Sequence, residues 1–537
     1  MTFVTATYLW NQKQEQFMNR AEMLARLEKE KEWDIIIIGG GATGLGAAVD
    51  ASSRGYKTLL LERLDFAKGT SSRATKLVHG GVRYLAQGNI KLVMEALKER
   101  GLLLKNAPHL TRNQAFVLPS YSWRGKWFYG IGLKIYDLMS GKLSIGKTKL
   151  LSSKTTARYL PAVAKDKLSG GILYHDGQFD DARLALNLAQ TAAEQGAVVL
   201  NYMEVFDLDK EKDKISGVFA EDILSGKEYE LKAKAVINAT GVFTDDILEM
   251  DDERHHHIVS PSQGIHFVVD KKFFPGDHAM MIPKTDDGRV LFAVPWHNHV
   301  IIGTTDTPVQ EPLLEPTALD EEIAFIFRNI NRYLTTNITK ADIKTVFAGL
   351  RPLVKAPGQK NTALMPRDHT IIVSKSNLIT ITGGKWTTYR RMAKDAVDNA
   401  AFVSKVTRKP CITETLHIHG WTEDPDSNET LRFYGSDAAG IRQLMNESHL
   451  LSERLHPAFD YTKAMVVWAV QKEMAMTVED VLARRMRMLF LDAQAAIDTA
   501  PAVAAIMAKE MGKDDKWIKE QTEQFIALAG KYILPRA

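Results

Sequence analysis

The chain has 537 residues, 45% of them apolar and 25% charged, with one cysteine and a formal net charge of +4. This length exceeds one ordinary hydrophobic core, so we expect two or three domains of a soluble globular protein. The lone Cys411 excludes an intrachain disulfide and suits a reducing compartment. The small positive charge does not indicate nucleic-acid binding, but it permits an anionic substrate or membrane surface.

The first residues do not resemble a targeting segment. Residues 11–32 are mostly charged or amide side chains, and nowhere do about 18 apolar residues follow one another. We therefore expect neither a secretory signal nor a transmembrane helix, and we predict a cytoplasmic protein. Residues 1–32 are predicted to be a helical extension whose thin apolar stripe packs on the body of the protein.

From Trp33 onward, short β-branched runs alternate with helical stretches. The predicted strands include residues 34–38, 58–61, 197–200 and 235–238, and the predicted helices include residues 43–54 and 182–195. This alternation is typical of a parallel sheet with crossover helices, so the predicted fold class is α/β with a Rossmann-type domain.

The strongest local pattern is a buried strand that leads through a glycine turn into a helix, over residues 34–46. Gly39 permits the tight turn, Gly41 lets backbone amides approach a diphosphate, and Gly44 lets helix and strand pack closely. Glu62 ends the next strand, where its carboxylate can accept hydrogen bonds from ribose hydroxyls and would repel a 2′-phosphate. These features predict a dinucleotide site and argue against NADP.

The hydroxyl-rich stretch 70–81 favours FAD over NAD, because an extended flavin cofactor needs more donors along its ribityl and phosphate arm. The candidate cofactor residues in this stretch are Thr70, Ser71, Ser72, Lys76, His79 and Gly80. Two later strands end in small residues, at Gly241 and at Gly383 and Gly384. The second opens a helix at Lys385, whose N-terminus could stabilise negative charge on a reduced flavin.

The remaining chain is predicted to form two further regions. Alternating strands within residues 246–340, such as 265–269, 290–294 and 299–302, predict an antiparallel substrate-binding sheet inserted in an FAD domain that spans 33–400. Residues 401–537 predict a helical C-terminal domain, with helices at 437–446, 461–474 and 477–491.

With these pieces in place, the chain resembles the respiratory, FAD-dependent glycerol-3-phosphate dehydrogenases of bacteria. The resemblance covers roughly residues 33–400 and extends more loosely beyond them. It is carried by the motifs at Thr70–Ser72, Lys76–Leu85, Asp180–Leu184, Asn238–Gly241, Ile302–Asp306, Gly349–Leu353 and Gly383–Tyr389. The family implies an FAD domain, a capping sheet, a helical C-terminal domain and electron delivery to membrane quinone. The chain lacks the calcium-loop spacing of the mitochondrial relatives near its C-terminus.

A phosphate-bearing substrate should be bound by several fixed cations. The resemblance implies that Arg83, Tyr84, Arg351, Arg367 and Lys385 contact glycerol 3-phosphate, with Arg351 and Lys385 also serving catalysis.

Oxidation at C2 also needs a place for the hydroxyl proton. His266 lies on an alternating strand and matches the active-site histidine of the family. His79 is a second candidate for that role, although contact with the flavin is an equal reading of its position. The group that takes the proton is left open. Adjacent His255, His256 and His257 cannot easily converge on one ion, so we predict no metal.

The segment 123–136 interleaves Trp, Phe and Tyr with Arg and Lys. This pattern predicts that the protein attaches peripherally to the anionic inner face of the cell membrane. Burial of the same aromatic residues in a core is the alternative.

Three functional alternatives stay open: an oxidase that produces hydrogen peroxide, an amine or amino-acid oxidase, and an FAD-bearing interaction protein. The basic motifs disfavour the amino-acid oxidase. Whether the chain forms a homodimer is also left open.

Overall fold

The structure is a computed structural model of the chain, and it describes residues 18–82, 85, 88–354 and 368–535. Three of the predicted substrate residues, Arg83, Tyr84 and Arg367, lie outside these ranges. The predictions made for them are therefore not addressed by the structure.

The helices of the described chain are α1 (Arg20–Lys29), α2 (Ala42–Ser53), α3 (Ile90–Asn106), α4 (Trp123–Met139), α5 (Ser153–Tyr159), α6 (Asp181–Glu194), α7 (Thr244–Asp251), α8 (Asp320–Ile330), α9 (Tyr389–Val403), α10 (Glu429–Arg432), α11 (Ala438–Glu447), α12 (His449–Ser452), α13 (Lys463–Lys472), α14 (Met488–Leu491), α15 (Ala493–Met511) and α16 (Asp515–Gly530). None of them is both long enough and apolar enough to span a membrane.

The strands are β1 (Trp33–Ile38), β2 (Thr58–Leu61), β3 (Leu77–Val78), β4 (Thr111–Ser120), β5 (Lys149–Leu151), β6 (Gly170–Phe179), β7 (Val198–Leu200), β8 (Met203–Glu211), β9 (Lys214–Asp222), β10 (Lys227–Asn238), β11 (Val259–Asp270), β12 (Ala279–Ile282), β13 (Leu291–Trp296), β14 (His299–Gly303), β15 (Thr307–Pro308), β16 (Ile343–Val354), β17 (His369–Val373) and β18 (Ile379–Gly383).

The first sheet has the strand order β17-β18-β10-β1-β2-β7, and the strands from β18 to β7 run parallel. Apart from Asp34, its central strand β1 is apolar because helices cover both faces of a parallel sheet, and Ile35–Ile37 are fully buried. The strands β1, β2, β10 and β18 all end at one edge of the sheet. In an open α/β sheet this carboxyl edge is where ligands bind.

The second sheet has the order β15-β11-β14-β13-β12-β4-β6-β3, with β16 along the other edge of β11 and β5 on β6. Its pairs are antiparallel except β4 with β12. The predicted region 246–340 supplies β11–β15, whereas β3–β6 and β16 come from outside it. Strand pairing over such long sequence separations leaves no local pattern to mark its limits.

The C-terminal region is helical, and the fold class predicted from the sequence is confirmed. The predicted helices at 437–446 and 461–474 appear as α11 and α13. The single helix predicted over 477–491 is wrong. A π-helical turn at Asp480–Arg485 is followed by Arg487 in the left-handed region (φ 65°) and by the short α14. Arg484 and Arg485 lie in this turn and Arg487 follows it, and the side chains of all three donate to buried acceptors.

The N-terminal helix α1 packs on the first sheet and its helices. Its Met23 and Leu27 are buried, and Arg20 forms an ion pair with Asp222, with 2.6 Å between Nη2 and Oδ1.

Candidate active site

A cavity of about 260 Å³ lies at the carboxyl edge of the first sheet. Its wall includes Gly39, Gly41 and Glu62, the strand end at 239–241, and the turn at 383–386. Four strand ends thus converge on one elongated space, where the sequence predicted a dinucleotide.

The glycine turn leaves no room for side chains. A Cβ at Gly44 would lie 1.9 Å from the carbonyl oxygen of Gly39, so only glycine allows α2 to pack against the turn. Gly39 has φ 109° and a Cβ there would lie 2.7 Å from the Ala239 carbonyl oxygen. Gly41 lies on the cavity wall at the start of α2, where helix N–H groups favour an anion.

Glu62 is held in place by the backbone. Its Oε2 accepts a hydrogen bond from Gly40 N (2.6 Å), and its Oε1 accepts one from Leu64 N (2.9 Å). Burial raises the pKa of Glu62, and these two backbone bonds partly offset that effect. The carboxylate keeps further lone pairs on the cavity wall, which fits a pair of ribose hydroxyls.

The hydroxyl-rich stretch uses its hydroxyls partly on the protein itself. Thr70 and Ser71 line the cavity, but Thr70 Oγ1 donates to the Leu350 carbonyl (2.6 Å). Ser71 Oγ accepts from Ala42 N at the start of α2 (2.9 Å). Their contribution to a cofactor site is therefore largely to set the position of this segment.

The structure does not place three predicted cofactor residues on the cavity walls. Ser72 is buried beneath them, and the Gly80 N–H donates to Tyr136 Oη (2.7 Å). Lys76 Nζ donates to Asp181 Oδ2 (2.6 Å), and burial, together with the charge of Arg487, lowers the pKa of Lys76 to about 7. Their polar groups are used inside the protein.

A second cavity, of about 330 Å³, lies between the two sheets. It shares Thr70, Pro352 and residues 383–386 with the first cavity, so the two form a continuous, extended space. Gly241 lines the first part, and Gly383, Gly384 and Lys385 line both. An elongated dinucleotide with a flavin at its inner end fits this shape and these donors.

Arg351 on β16 presents a fixed cation to the second cavity. Its Nη2 donates to Thr304 Oγ1 (3.0 Å) and to the Thr305 carbonyl (2.9 Å), and its Nη1 lies 3.4 Å from Asp306 Oδ1. Gly264 on the paired strand makes room for it, because a Cβ there would lie 2.4 Å from Arg351 Nη2. These contacts hold the guanidinium in one orientation before any ligand binds.

His266 on β11 lies on the same cavity wall and is almost fully buried. Its Nε2 is 2.9 Å from Thr75 Oγ1, and its Nδ1 has no hydrogen-bond partner among the described residues. Burial, with the nearby charges of Lys76 and Arg351, holds the pKa of His266 well below its usual range. The imidazole is therefore neutral near pH 7 and can accept a proton.

His79 lies at the inner end of the cavity, near Lys385 and Asp176. Burial lowers the pKa of His79 to about 4, so this side chain is also neutral. The His79 N–H donates to Thr387 Oγ1 (3.1 Å), which ties the loop that follows β3 to the turn before α9. The structure thus brings His79, His266, Arg351 and Lys385 to one cavity.

Sequence reasoning missed several residues of this wall. Thr75, Thr304 and Asp306 position His266 and Arg351, and Arg289 lines the cavity beside them. The motif Ile302–Asp306 is recognisable in the sequence, but its contacts depend on strand pairing across the sheet. Among the described residues, no cluster of three or more metal-ligating side chains is present.

Joined cavities at the carboxyl edge of a parallel sheet, with a glycine turn and an acidic strand end, define a dinucleotide-binding protein. The sequence profile of the FAD dependent oxidoreductase family matches residues 34–390. The profile of the C-terminal domain of alpha-glycerophosphate oxidase matches residues 374–518.

The chain is 40% identical to the mitochondrial glycerol-3-phosphate dehydrogenase of Mesocricetus auratus, over 94% of this chain and 74% of the relative. The crystal structure of the Bacillus halodurans glycerol-3-phosphate dehydrogenase complexed with FAD is 30% identical, with a TM-score of 0.79 over 96% of this chain and 98% of that one. The L-alpha-glycerophosphate oxidase of Mycoplasma pneumoniae, 18% identical with a TM-score of 0.56 over 72% of this chain and 98% of that one, shares the fold. The chain therefore belongs to the FAD-dependent glycerol-3-phosphate dehydrogenase family, and its cofactor is FAD.

The cofactor should be bound without a covalent link. The single Cys411 lies away from both cavities, where it contacts Thr413, and the glycine turn and Glu62 supply non-covalent contacts. Acid precipitation of the purified protein should therefore release its yellow colour into the supernatant. Absorbance spectra of the supernatant and the pellet check this, and colour retained in the pellet would contradict it.

Proposed function

We propose that this enzyme oxidises sn-glycerol 3-phosphate to dihydroxyacetone phosphate and passes the electrons to a membrane quinone. The observation that carries the proposal is the pairing of a fixed cation, Arg351, with a neutral buried base, His266, on one wall of the cavity that continues into the FAD site. Bound FAD supplies the acceptor for the hydride from C2. The protein supplies binding, orientation and a proton acceptor.

Recognition of the phosphate is assigned to the cationic part of the second cavity. A phosphomonoester carries a charge of about −1.5 to −2 near neutral pH, which favours bidentate arginine. Arg351 is held by Thr304 and Thr305 in an orientation fixed before binding, and Arg289 and Lys385 lie on the same walls. Arg83, Tyr84 and Arg367 are proposed to complete the site.

Replacing Arg351 with Ala should lower kcat/KM for glycerol 3-phosphate while the FAD content stays normal. Losing a charge-assisted contact in an enclosed site costs about 2–4 kcal/mol, which corresponds to a fall of roughly 30- to 1000-fold. Steady-state kinetics and the flavin-to-protein ratio measure both effects. Arg328→Ala, in an exposed ion pair with Asp286, is the matched control. A near-normal kcat/KM in Arg351→Ala would remove Arg351 from the site.

Removal of the hydroxyl proton is assigned to His266. Thr75 Oγ1 fixes one ring nitrogen, and the other is buried with no partner among the described residues. Because burial and two neighbouring cations lower the pKa of His266, the ring stays unprotonated throughout the neutral range. A base must be unprotonated to act, and this environment ensures that state.

His266→Gln should lower kcat by about 100-fold or more, the usual contribution of a general base. The wild-type kcat/KM, which reports ionisations of the free enzyme, should show no histidine ionisation near about pH 6.5, where histidine ordinarily titrates, because burial depresses the pKa of His266. The ionisation of His266 should appear only at lower pH, and it should be absent from the profile of His266→Gln. The control is His299→Gln, on the same sheet but off the cavity wall. An unchanged profile in His266→Gln would leave His266 a structural residue.

Membrane attachment is assigned to α4. One face of this helix is apolar and exposed, with Trp123 at 69%, Phe128 at 70% and Leu138 at 79% exposure, and Trp127, Ile131 and Ile135 between them. Arg124 and Lys134 are also at least partly exposed. The opposite face, with Leu133 and Tyr136, is buried. A helix that packs on the protein by one face and exposes apolar and cationic side chains on the other suits the interface of an anionic membrane.

The same helix lies one packing layer from the flavin cavity. Phe116 and Tyr174, which line that cavity, belong to one apolar cluster with Leu133 of α4. The two rings stack at 5.1 Å between centroids, and Phe292 meets Phe116 edge to face at 6.0 Å. An apolar wall between the flavin cavity and a lipid-facing helix supports electron transfer to an acceptor that resides in the membrane.

Phe128→Ser should reduce co-sedimentation with anionic vesicles, whereas Phe402→Ser, at an 84% exposed aromatic on α9, should not. Each basic residue near such a surface contributes about 1 kcal/mol, so added salt should also release the wild-type protein. With a quinone present under air, substrate oxidation should yield little peroxide. Binding that ignores both anionic lipid and Phe128, with stoichiometric peroxide, would instead support an oxidase.

A further inference from the structure

Three arginines within four residues of the C-terminal region, Arg484, Arg485 and Arg487, are almost fully buried. Burying a guanidinium is costly unless charged or polar partners replace its water, so each of these arginines needs hydrogen-bond acceptors within the protein. Some of these acceptors lie in the C-terminal region itself, and Asp181 begins α6. The others, Asp65 and the Ser72 carbonyl, lie on residues 62–73, which we call the cofactor loop. This loop supplies Glu62 and residues 67–71 to the first cavity.

Arg484 and Arg485 converge on one carboxylate of the loop. Arg484 Nε and Arg485 Nη1 both donate to Asp65 Oδ2, and Arg485 Nη2 donates to Asp65 Oδ1 at 3.0 Å. Asp65 is fully buried, which would raise its pKa, but Arg485 and Arg484 outweigh burial and hold the pKa of Asp65 below its ordinary value. The carboxylate therefore stays ionised between Glu62 and the loop residues of the cavity wall.

Arg487 holds the other end of the loop. Its Nη2 donates to the Ser72 carbonyl (2.8 Å) and to Asp181 Oδ1 (2.9 Å), and Lys76 Nζ donates to the same carbonyl (2.7 Å). Ser72 follows Thr70 and Ser71 directly, and both of these line the cavity.

A third contact is made through Glu315, next to the cavity-lining Leu314. Glu315 Oε2 accepts from Arg73 Nη2 (2.8 Å) and from Tyr532 Oη (2.9 Å), and Oε1 lies 2.5 Å from Lys68 Nζ. Lys68 Nζ is also 2.5 Å from Glu479 Oε1. The C-terminal region thus contacts the loop at Asp65, Lys68 and Ser72, and reaches Arg73 through Glu315.

We propose that the C-terminal region retains FAD by holding the cofactor loop in its binding conformation, with Arg484, Arg485, Arg487 and Tyr532 as positioning residues. None of these four lies on the walls of the two cavities, so they act through the loop. A loop that is already ordered loses less conformational freedom when the cofactor binds, and the cofactor leaves more slowly because the loop must open.

Arg487→Met and Tyr532→Phe test the proposal on the holoenzyme. In Arg487→Met, the Ser72 carbonyl and Asp181 keep Lys76 as a hydrogen-bond donor. The variant therefore removes one contact with the loop without leaving either acceptor unpaired. Tyr532→Phe removes only the hydroxyl bonded to Glu315. Lys344→Met is the matched control, because the ion pair of Lys344 with Asp492 also joins β16 to the C-terminal region but does not involve the loop.

The readouts are the FAD dissociation rate, from recovery of flavin fluorescence after dilution, and the rise in Tm produced by excess FAD. We expect release about tenfold faster in Arg487→Met, a smaller increase in Tyr532→Phe and no change in Lys344→Met. The rise in Tm should shrink in the first two variants, since it follows FAD affinity, whereas general destabilisation would lower Tm with and without FAD alike.

Wild-type release from Tyr532→Phe would overturn the proposal, and this variant decides alone if Arg487→Met does not fold. FAD release from Lys344→Met as fast as from Arg487→Met would also overturn the proposal, since any loss of contact with the C-terminal region would then have the same effect.

Discussion

Strand β16 has one edge paired to β11 and a second edge along which no strand of the described chain is paired. Buried carbonyls must find donors, and here side chains supply them. Arg73 Nη1 donates to the Ala348 carbonyl (3.2 Å) and Thr70 Oγ1 to the Leu350 carbonyl (2.6 Å), while Val346 N donates to the Tyr532 carbonyl (2.8 Å). Closing this one edge ties together the cofactor loop and the end of the C-terminal region.

The other edge of β16, which pairs with β11, positions side chains of the substrate cavity. Its ladder with β11 sets His266 opposite Phe347 and Arg351 opposite Ser262. The His266 ring stacks on Phe347 at 4.9 Å between centroids, and Gly303 on β14 leaves space for it, since a Cβ there would lie 2.4 Å from His266 Cδ2. A base and a cation placed on adjacent paired strands keep their separation better than residues on loops would.

The parts of the site that the sequence predicted are those that depend on local chain geometry. The turn at Gly39–Gly44 and the strand end at Glu62 require particular residue types within a short segment, and both lie at the first cavity. The hydrogen bonds of the Thr70 and Ser71 hydroxyls could not be predicted from local sequence, because their acceptor and donor lie on β16 and α2. The helix is interrupted at Arg487, which has a left-handed backbone, and the Arg487 side chain donates to the Ser72 carbonyl, 415 positions earlier in the chain. Three arginines inside the apolar run 481–491 were the available sign of buried ion pairs.

The electrostatics of the substrate cavity connect its cations to its base. Burial, followed by the charges of Lys76 and Arg351, lowers the pKa of His266, so Arg351, the cation on the cavity wall that would attract a phosphate, also weakens the base beside it. Under the proposed function, a bound phosphate dianion offsets that positive potential, and the proton affinity of His266 rises when substrate is present. The base would then be strongest only when a proton is there to be taken. In the free enzyme, burial keeps the ring neutral, so no proton has to leave it before substrate binds.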